Sequence, residues 1–271
     1  MENTMSYEMI ALDIDGTLTN SKKEITTATR NALINLQKQG KKVILASGRP
    51  TPGLRSFAEL LQFDIYGGYL LAYNGAKIIN YKTKETIINQ TLPQDMIPLL
   101  HQFALDNHVG LISYEKDGVI AGNGIDKYIE LETRINGIPY TEITNFSDYV
   151  TFPVNKCLMT GEDAYMAEME EKLKELYGDR LSIYRSEAFF LEIMPQHVDK
   201  ANSLSKLLEH EGITKEQLIA CGDGYNDISM IRYAGLGVAM ANAKEEVKKE
   251  ADYITLSNDE DGVLRVIEEF F

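Results

Sequence analysis

Asp13 and Asp15 stand two residues apart where the apolar run of "ALDIDGTLTN" (residues 11–20) meets Gly16. Residues i and i+2 of a strand share a face, and two carboxylates there raise each other's cost of ionisation unless a cation or a shared proton intervenes. By itself a D-x-D-G stretch is usually a turn. A second stretch, "CGDGYNDISM" (221–230), repeats the pattern: Asp223 ends an apolar run, Gly224 follows, and Asn226 and Asp227 open a helix. Asn and Asp are common helix caps, so these two also have a structural reading. Neighbouring parallel strands ending in Asp13 and Asp223 would gather four carboxylates, including Asp15 and Asp227. That much charge is costly without a cation. An all-oxygen site of this kind suits Mg2+, often completed by substrate phosphate oxygens.

A phosphate also needs donors. "SGRP" offers Ser47, the backbone amides after it and Arg49 at another strand end. Lys200 opens a helix, where a cation opposes the helix dipole. An exposed, solvated lysine is one reading of it; a bound phosphate would remove the oddity.

The elements that must position these residues alternate along the chain. Residues 7–14 read as a buried strand, followed by a helix capped by Thr26, with Leu33 and Leu36 on one face and a stop at Gly40. "KKVILAS" is the next strand, "PGLRSFAELLQF" a helix, and "GGYLLAYNGA" a strand running into an Asn-Gly turn. This rhythm predicts parallel strands with right-handed crossovers, and in such sheets ligands sit beyond the carboxyl ends of the strands. Asp13 and Ser47 fall at those ends. From about residue 85 hairpins and helices of a second, α+β texture take over, and the βα rhythm returns at Lys200. The fold class is therefore α/β: a Rossmann-like parallel-sheet core, helices on both faces, with an inserted α+β domain. The expected division is 1–84 and 195–271 for the discontinuous core and 85–194 for the insertion.

The 271 residues suffice for one large or two moderate domains, and the net charge of −14 argues against a nucleic-acid partner. No run approaches a membrane span and "MENTMSYEM" lacks a leader pattern, so no membrane partner and a cytoplasmic location are expected. Cys157 and Cys221 are too few and too far apart for a disulfide framework or a zinc site. The four histidines show no ligand spacing and read as surface or loop residues.

Together these motifs resemble the haloacid dehalogenase superfamily of phosphohydrolases. Asp13-Ile14-Asp15-Gly16-Thr17 fits the first of its four motifs, Ser47 in "ASGR" the second, Lys200 the third and "GDGYND" (222–227) the fourth. The long gap between Ser47 and Lys200 matches the place of a type C2 cap. "AYNGA", "FFLEIMP" and "GLGVAMANA" are similar to stretches of the Cof-type, class IIB sugar phosphatases.

The resemblance implies a Mg2+-dependent phosphatase acting on small phosphorylated metabolites, sugar phosphates among them, through an aspartyl-phosphate. Asp13 would be the nucleophile and Asp15 the general acid and base, with Asp15 kept protonated by neighbours that raise its pKa. Mg2+ would be held by Asp13, the Asp15 backbone carbonyl and Asp223, with Asp227 orienting its water shell. Ser47, Lys200 and amides near Gly16, Thr17 and Gly48 would hold phosphate, and Asn226 would touch the phosphate or its lysine. The cap would set specificity; Tyr128, Arg134 and Arg185 are polar residues there with an ordinary surface reading. A monomer or small homo-oligomer is expected. The rivals are a phosphomutase of the same superfamily and, further off, a phosphoryl-accepting signalling module.

Overall fold

The computed structural model describes residues 6–271; the first five, part of the stretch read above for a leader, lie outside the described residues. The chain divides into two units, the described residues up to Ile88 with Asp199–Phe271, and Asn89–Val198. Each junction lies four residues beyond the expected one. The first shifts because Thr86–Asn89, expected within the insertion, is the edge strand of the first unit's sheet.

In chain order the first strands are β1 (Met9–Leu12), β2 (Lys42–Ala46), β3 (Tyr69–Ala72), β4 (Lys77–Asn80) and β5 (Thr86–Asn89). The insertion supplies β6 (Gly110–Glu115), β7 (Gly118–Gly122), β8 (Tyr140–Ile143), β9 (Cys157–Thr160), β10 (Leu181–Glu187) and β11 (Phe190–Pro195). The first unit resumes with β12 (Leu218–Gly222), β13 (Leu236–Ala239) and β14 (Tyr253–Ile254). Its sheet runs β14-β13-β12-β1-β2-β3-β4-β5, parallel from β14 to β3 and antiparallel between β3 and β4.

All four residues of β1 are buried, as a strand covered on both faces requires. Met9 and Ala11 pack with Ile44, Leu71 and Leu204, Leu207 and Leu208 of the helix Lys200–Glu211. Ile10, Leu12, Val43 and Leu45 fill the other face. The helix Thr27–Lys38 starts as expected: Thr26 accepts from the Thr29 amide, and Leu33 and Leu36 are buried. Gly40, at φ 86°, follows its end.

The inserted unit has its own sheet, β10-β11-β9-β6-β7-β8, and its own core. The helices Met96–Asp106 and Asp163–Tyr177 bury Leu100, Phe103, Met166 and Leu173 among Leu111, Cys157, Met159 and Leu191. Elsewhere in this unit Lys156 pairs with Glu192 at 2.9 Å, both buried. Arg185 is engaged by Glu170 and Asp163, and Tyr128 stacks on Phe189. His101, expected on the surface or in a loop, is buried in the helix against Phe146, so the polar ring has been recruited to core packing. Both cysteines are buried and unpaired. No helix among the described residues is long and apolar enough to cross a membrane.

Candidate active site

Parallel register carries the acidic pattern into space. Leu12 of β1 pairs with Cys221 of β12, so Asp13 and Asp223 leave neighbouring strands at the same end of the sheet. Asp13 continues the ladder with its amide on the Cys221 carbonyl at 3.0 Å. Gly16 then turns the chain at φ 88°, and a Cβ there would lie 2.4 Å from Asp223 Oδ2. Only glycine meets both demands. The turn is held by Thr17 Oγ1, which donates to Asp223 Oδ1 at 2.8 Å, and by Asn242 Nδ2, which donates to the Gly16 carbonyl at 2.8 Å.

Lys200 is the centre of the cluster. Its side chain is fully buried, and Nζ donates to Asp13 Oδ1 at 2.8 Å, Asp227 Oδ1 at 2.5 Å and the Ala46 carbonyl at 2.7 Å. Two carboxylates thus offset the charge that opposes the helix dipole. Burial favours the neutral amine, but the Asp13 and Asp227 charges outweigh it and hold Lys200 well above the usual amine range. Asp227 uses its other oxygen to accept from the amides of Asp223 and Gly224, at 3.0 and 2.9 Å.

Asp13, Asp223 and Asp227 can each offer an oxygen within 4.8 Å of the others. Burial, then the Asp227 charge, pushes the Asp13 carboxyl well above its ordinary value against the pull of Lys200. Burial likewise lifts Asp223 to about 6. Asp13 and Asp223 resist ionising in this setting, and with the hard oxygens of the three side chains they fit a divalent cation that would stabilise the charged forms of these two. The sign of the linkage is testable. A carboxyl whose folded pKa is raised stabilises the fold at low pH, and that contribution fades as pH climbs from its ordinary value near 4 through about 6. In chelator, the melting temperature of the protein relative to an Asp223→Asn variant is therefore expected to fall from pH 4 to pH 7. A pH-independent difference would mean that Asp223 titrates normally.

Asp15 departs from expectation. The strand ends at Leu12, so its alternation does not reach Asp15, and the two carboxylates face different partners. Arg49 grips Asp15 with two bonds, Nε to Oδ2 at 2.8 Å and Nη2 to Oδ1 at 2.9 Å, and Lys23 Nζ adds a third at 2.9 Å. Burial alone would raise its pKa, but the Arg49 hydrogen bonds and charge, with those of Lys23, take it below the ordinary value. The expected raised pKa is thus reversed: here Asp15 is an ionised carboxylate. Arg49, read from the sequence as a phosphate donor, is engaged on Asp15 instead.

Ser47 is buried just beyond β2, its Oγ accepting from the Arg49 amide at 3.2 Å. Asn226 does not bond to Lys200; its Nδ2 donates to Asn74 Oδ1 at 3.0 Å. Sequence reasoning placed the acidic and hydroxyl groups but missed Lys23, Asn74 and Asn242. Asn74 and Asn242 lie in "AYNGA" and "GLGVAMANA", and those two stretches were the available signal.

The fold that carries these two aspartate-bearing strand ends and the buried lysine is shared with a known class of hydrolases. The haloacid dehalogenase-like hydrolase family matches residues 10–267, and the chain belongs to it. Within that family it is a phosphatase. A haloacid dehalogenase-like hydrolase from Bacteroides thetaiotaomicron is similar at a TM-score of 0.95 and 47% identity, over 98% of this chain and 100% of that one. The HAD subclass IIB sugar phosphatase BT4131 is similar at a TM-score of 0.80 and 26% identity, over 97% and 98% of the two chains. YcsE of Bacillus subtilis (strain 168), a 5-amino-6-(5-phospho-D-ribitylamino)uracil phosphatase, is 29% identical over 265 residues, 97% of this chain and 95% of that one.

Proposed function

We propose that this phosphatase hydrolyses small phosphorylated metabolites, sugar phosphates foremost, in a Mg2+-dependent reaction in the cytoplasm that passes through an aspartyl-phosphate on Asp13. The observation that carries the reading is the buried Lys200, bonded at once to Asp13 and Asp227 beside Asp223. A buried lysine so placed offsets the charge of the carboxylate proposed as nucleophile.

Phosphate-monoester hydrolysis is among the slowest uncatalysed reactions, so the site must supply on the order of 20 kcal/mol or more. An Asp13 oxygen attacks phosphorus while the bond to the leaving alcohol breaks; water then attacks the aspartyl-phosphate and frees Asp13. Asp15 gives a proton to the leaving oxygen and takes one back from that water. Because Arg49 and Lys23 hold Asp15 ionised, it has to exchange those bonds for a proton before it serves as the acid. Ser47, Lys200, Asn226 and the amides of Gly16, Thr17 and Gly48 would hold phosphoryl oxygens against developing charge; Lys200, whose three donors are taken by Asp13, Asp227 and the Ala46 carbonyl, has to give up one of those bonds to do so. Asp13, the Asp15 carbonyl and Asp223 would hold Mg2+, with Asp227 orienting its water shell. When bound, the ion would supply positive charge that offsets the repulsion between the Asp13 carboxylate and an anionic phosphate.

Substrate choice rests with the inserted unit, since the first unit's motifs address only phosphate. The sugar phosphatase activity named for BT4131 supports sugar phosphates, and YcsE supports a phosphorylated ribityl compound as a second member of a test panel. The experiment is phosphate release from phosphorylated sugars and cofactors, with Mg2+ and with chelator. Release from several sugar phosphates that chelator abolishes is the expected result. Release from none of them, or turnover only when a sugar bisphosphate is added, would overturn the reading, the latter in favour of a phosphomutase.

A further inference from the structure

Between β3 and β4 the backbone does something costly. Tyr73 and Asn74 lie at φ 52° and 53°, two successive non-glycine residues in the left-handed region, and Gly75 follows at φ 108°. Asparagine tolerates this region; for a bulky residue such as tyrosine it is a true outlier. Such strain persists only where surrounding contacts over-determine it, and it concentrates at functional sites. Here the contacts are visible. The Tyr73 amide donates to the Arg49 carbonyl and the Asn74 amide to the Ser47 carbonyl, each at 3.0 Å. Behind the turn, Ser203 Oγ donates to the Gly75 carbonyl at 2.8 Å, and a Cβ on Gly75 would come within 2.5 Å of that hydroxyl.

The strained turn delivers one side chain to two places. The Asn74 amide group lies over Gly48, where an added Cβ would meet it at 3.3 Å, and its Oδ1 accepts from Asn226 Nδ2 at 3.0 Å. Ser47-Gly48-Arg49 follows β2, and Asn226 belongs to the turn after β12. These two strands are separated in the sheet by β1, which bears Asp13 at its end. No bond of the ladder joins them.

We infer that Asn74 is a positioning residue: its side chain ties the Ser47–Gly48 turn to Asn226 across the end of β1 and so fixes the spacing of two walls of the phosphate pocket. The inference rests on the reading of Ser47 and Asn226 as phosphate-holding groups. The left-handed turn is what places the amide there, since an extended residue following β3 would project its side chain from one face of the sheet instead.

Asn74→Gly is the informative variant, because glycine relaxes at this φ and keeps the backbone bonds to Ser47 while removing the amide. It is compared with wild type, Asn226→Ala and the double variant, on whichever sugar phosphate the wild type hydrolyses fastest. The expected result is a kcat lower by about 10-fold or more, since small misplacements of reacting groups cost up to about 100-fold, with KM and melting temperature nearly unchanged. The double variant is expected to match Asn226→Ala alone, as residues in one network are non-additive. Wild-type kcat in Asn74→Gly would overturn the inference. So would losses that multiply in the double variant, or a loss accompanied by a matching drop in melting temperature. Failure of the underlying phosphatase reading is seen separately, as an inactive wild type.

Discussion

Asp13→Asn is expected to lower phosphate release by at least about 1,000-fold, since removing a catalytic nucleophile can cost on the order of a million-fold and leaves only what binding and electrostatics supply. The fold should survive. Asparagine fills the same space, keeps an oxygen for the bond from Lys200 Nζ, and removes a carboxyl that burial and Asp227 already make costly to ionise. Its melting temperature in chelator is therefore expected to equal or exceed that of wild type at neutral pH. Steady-state phosphate release and a thermal melt on the same sample check both halves. Turnover close to wild type would remove the nucleophile assignment, and an unfolded variant would show that Asp13 is needed first for structure. A second readout is direct: acid-quenched wild type should carry phosphate labile to hydroxylamine, and the variant none.

Lys200→Met should do the opposite to stability. Methionine has nearly the length of lysine but no charge, so Asp13 and Asp227 would face one another without their shared cation. Removing one partner of a buried ion pair costs about 3–5 kcal/mol, because the other charge is left stranded. The raised pKa of Lys200 sets the sign: its contribution is fully present at and below neutral pH and would fade only as pH rose through its high folded value. The stranded carboxyl has an escape, since Asp13 can bind a proton. Urea unfolding at pH 5 and pH 8 should accordingly show a smaller loss at the acid end, and Mg2+ should recover part of it at pH 8. A variant as stable as wild type at pH 8 would mean that the carboxylates are not ionised together. Phosphate release should vanish in either case.

The parts of this site legible in the sequence are those written in consecutive residues. An apolar run gives a buried strand, and a D-x-D-G or G-D-G turn at its end gives a place and a direction, so Asp13 and Asp223 could be brought together from two short stretches and one assumption about strand adjacency. Thr26, Leu33 and Gly40 were equally readable because capping and helical spacing are local. Asp15 was not. Its partners Lys23 and Arg49 are reached only after the chain leaves the strand, and a two-residue spacing then says nothing about where a side chain faces. Asn74 was hidden for a related reason: "AYNGA" announces a turn, but left-handed φ at Tyr73 and Asn74 is set by the Ser47 and Arg49 carbonyls, which belong to another loop. The edge strand β5 escaped notice because its burial pattern alternates weakly, with Thr86 and Asn89 exposed.

The order of strands in the first unit's sheet has a consequence for how the enzyme is made. β1 is synthesised first and sits in the middle: Met9 pairs with Lys42 on one side and with Leu218 on the other. As the chain leaves the ribosome, β2 can join β1 at once, but the other edge of β1 stays open while the whole of Asn89–Val198 emerges. That stretch is continuous and has its own core, so it can fold during the wait. The delay keeps an apolar strand edge unpaired for most of translation, a natural place for a chaperone to bind. It also makes truncation silent. A chain stalled before β12 holds Asp13 and Ser47 but lacks Asp223 and Asp227, 206 residues beyond Thr17 in the case of Asp223, so on the proposed reading a product that short is expected to release no phosphate.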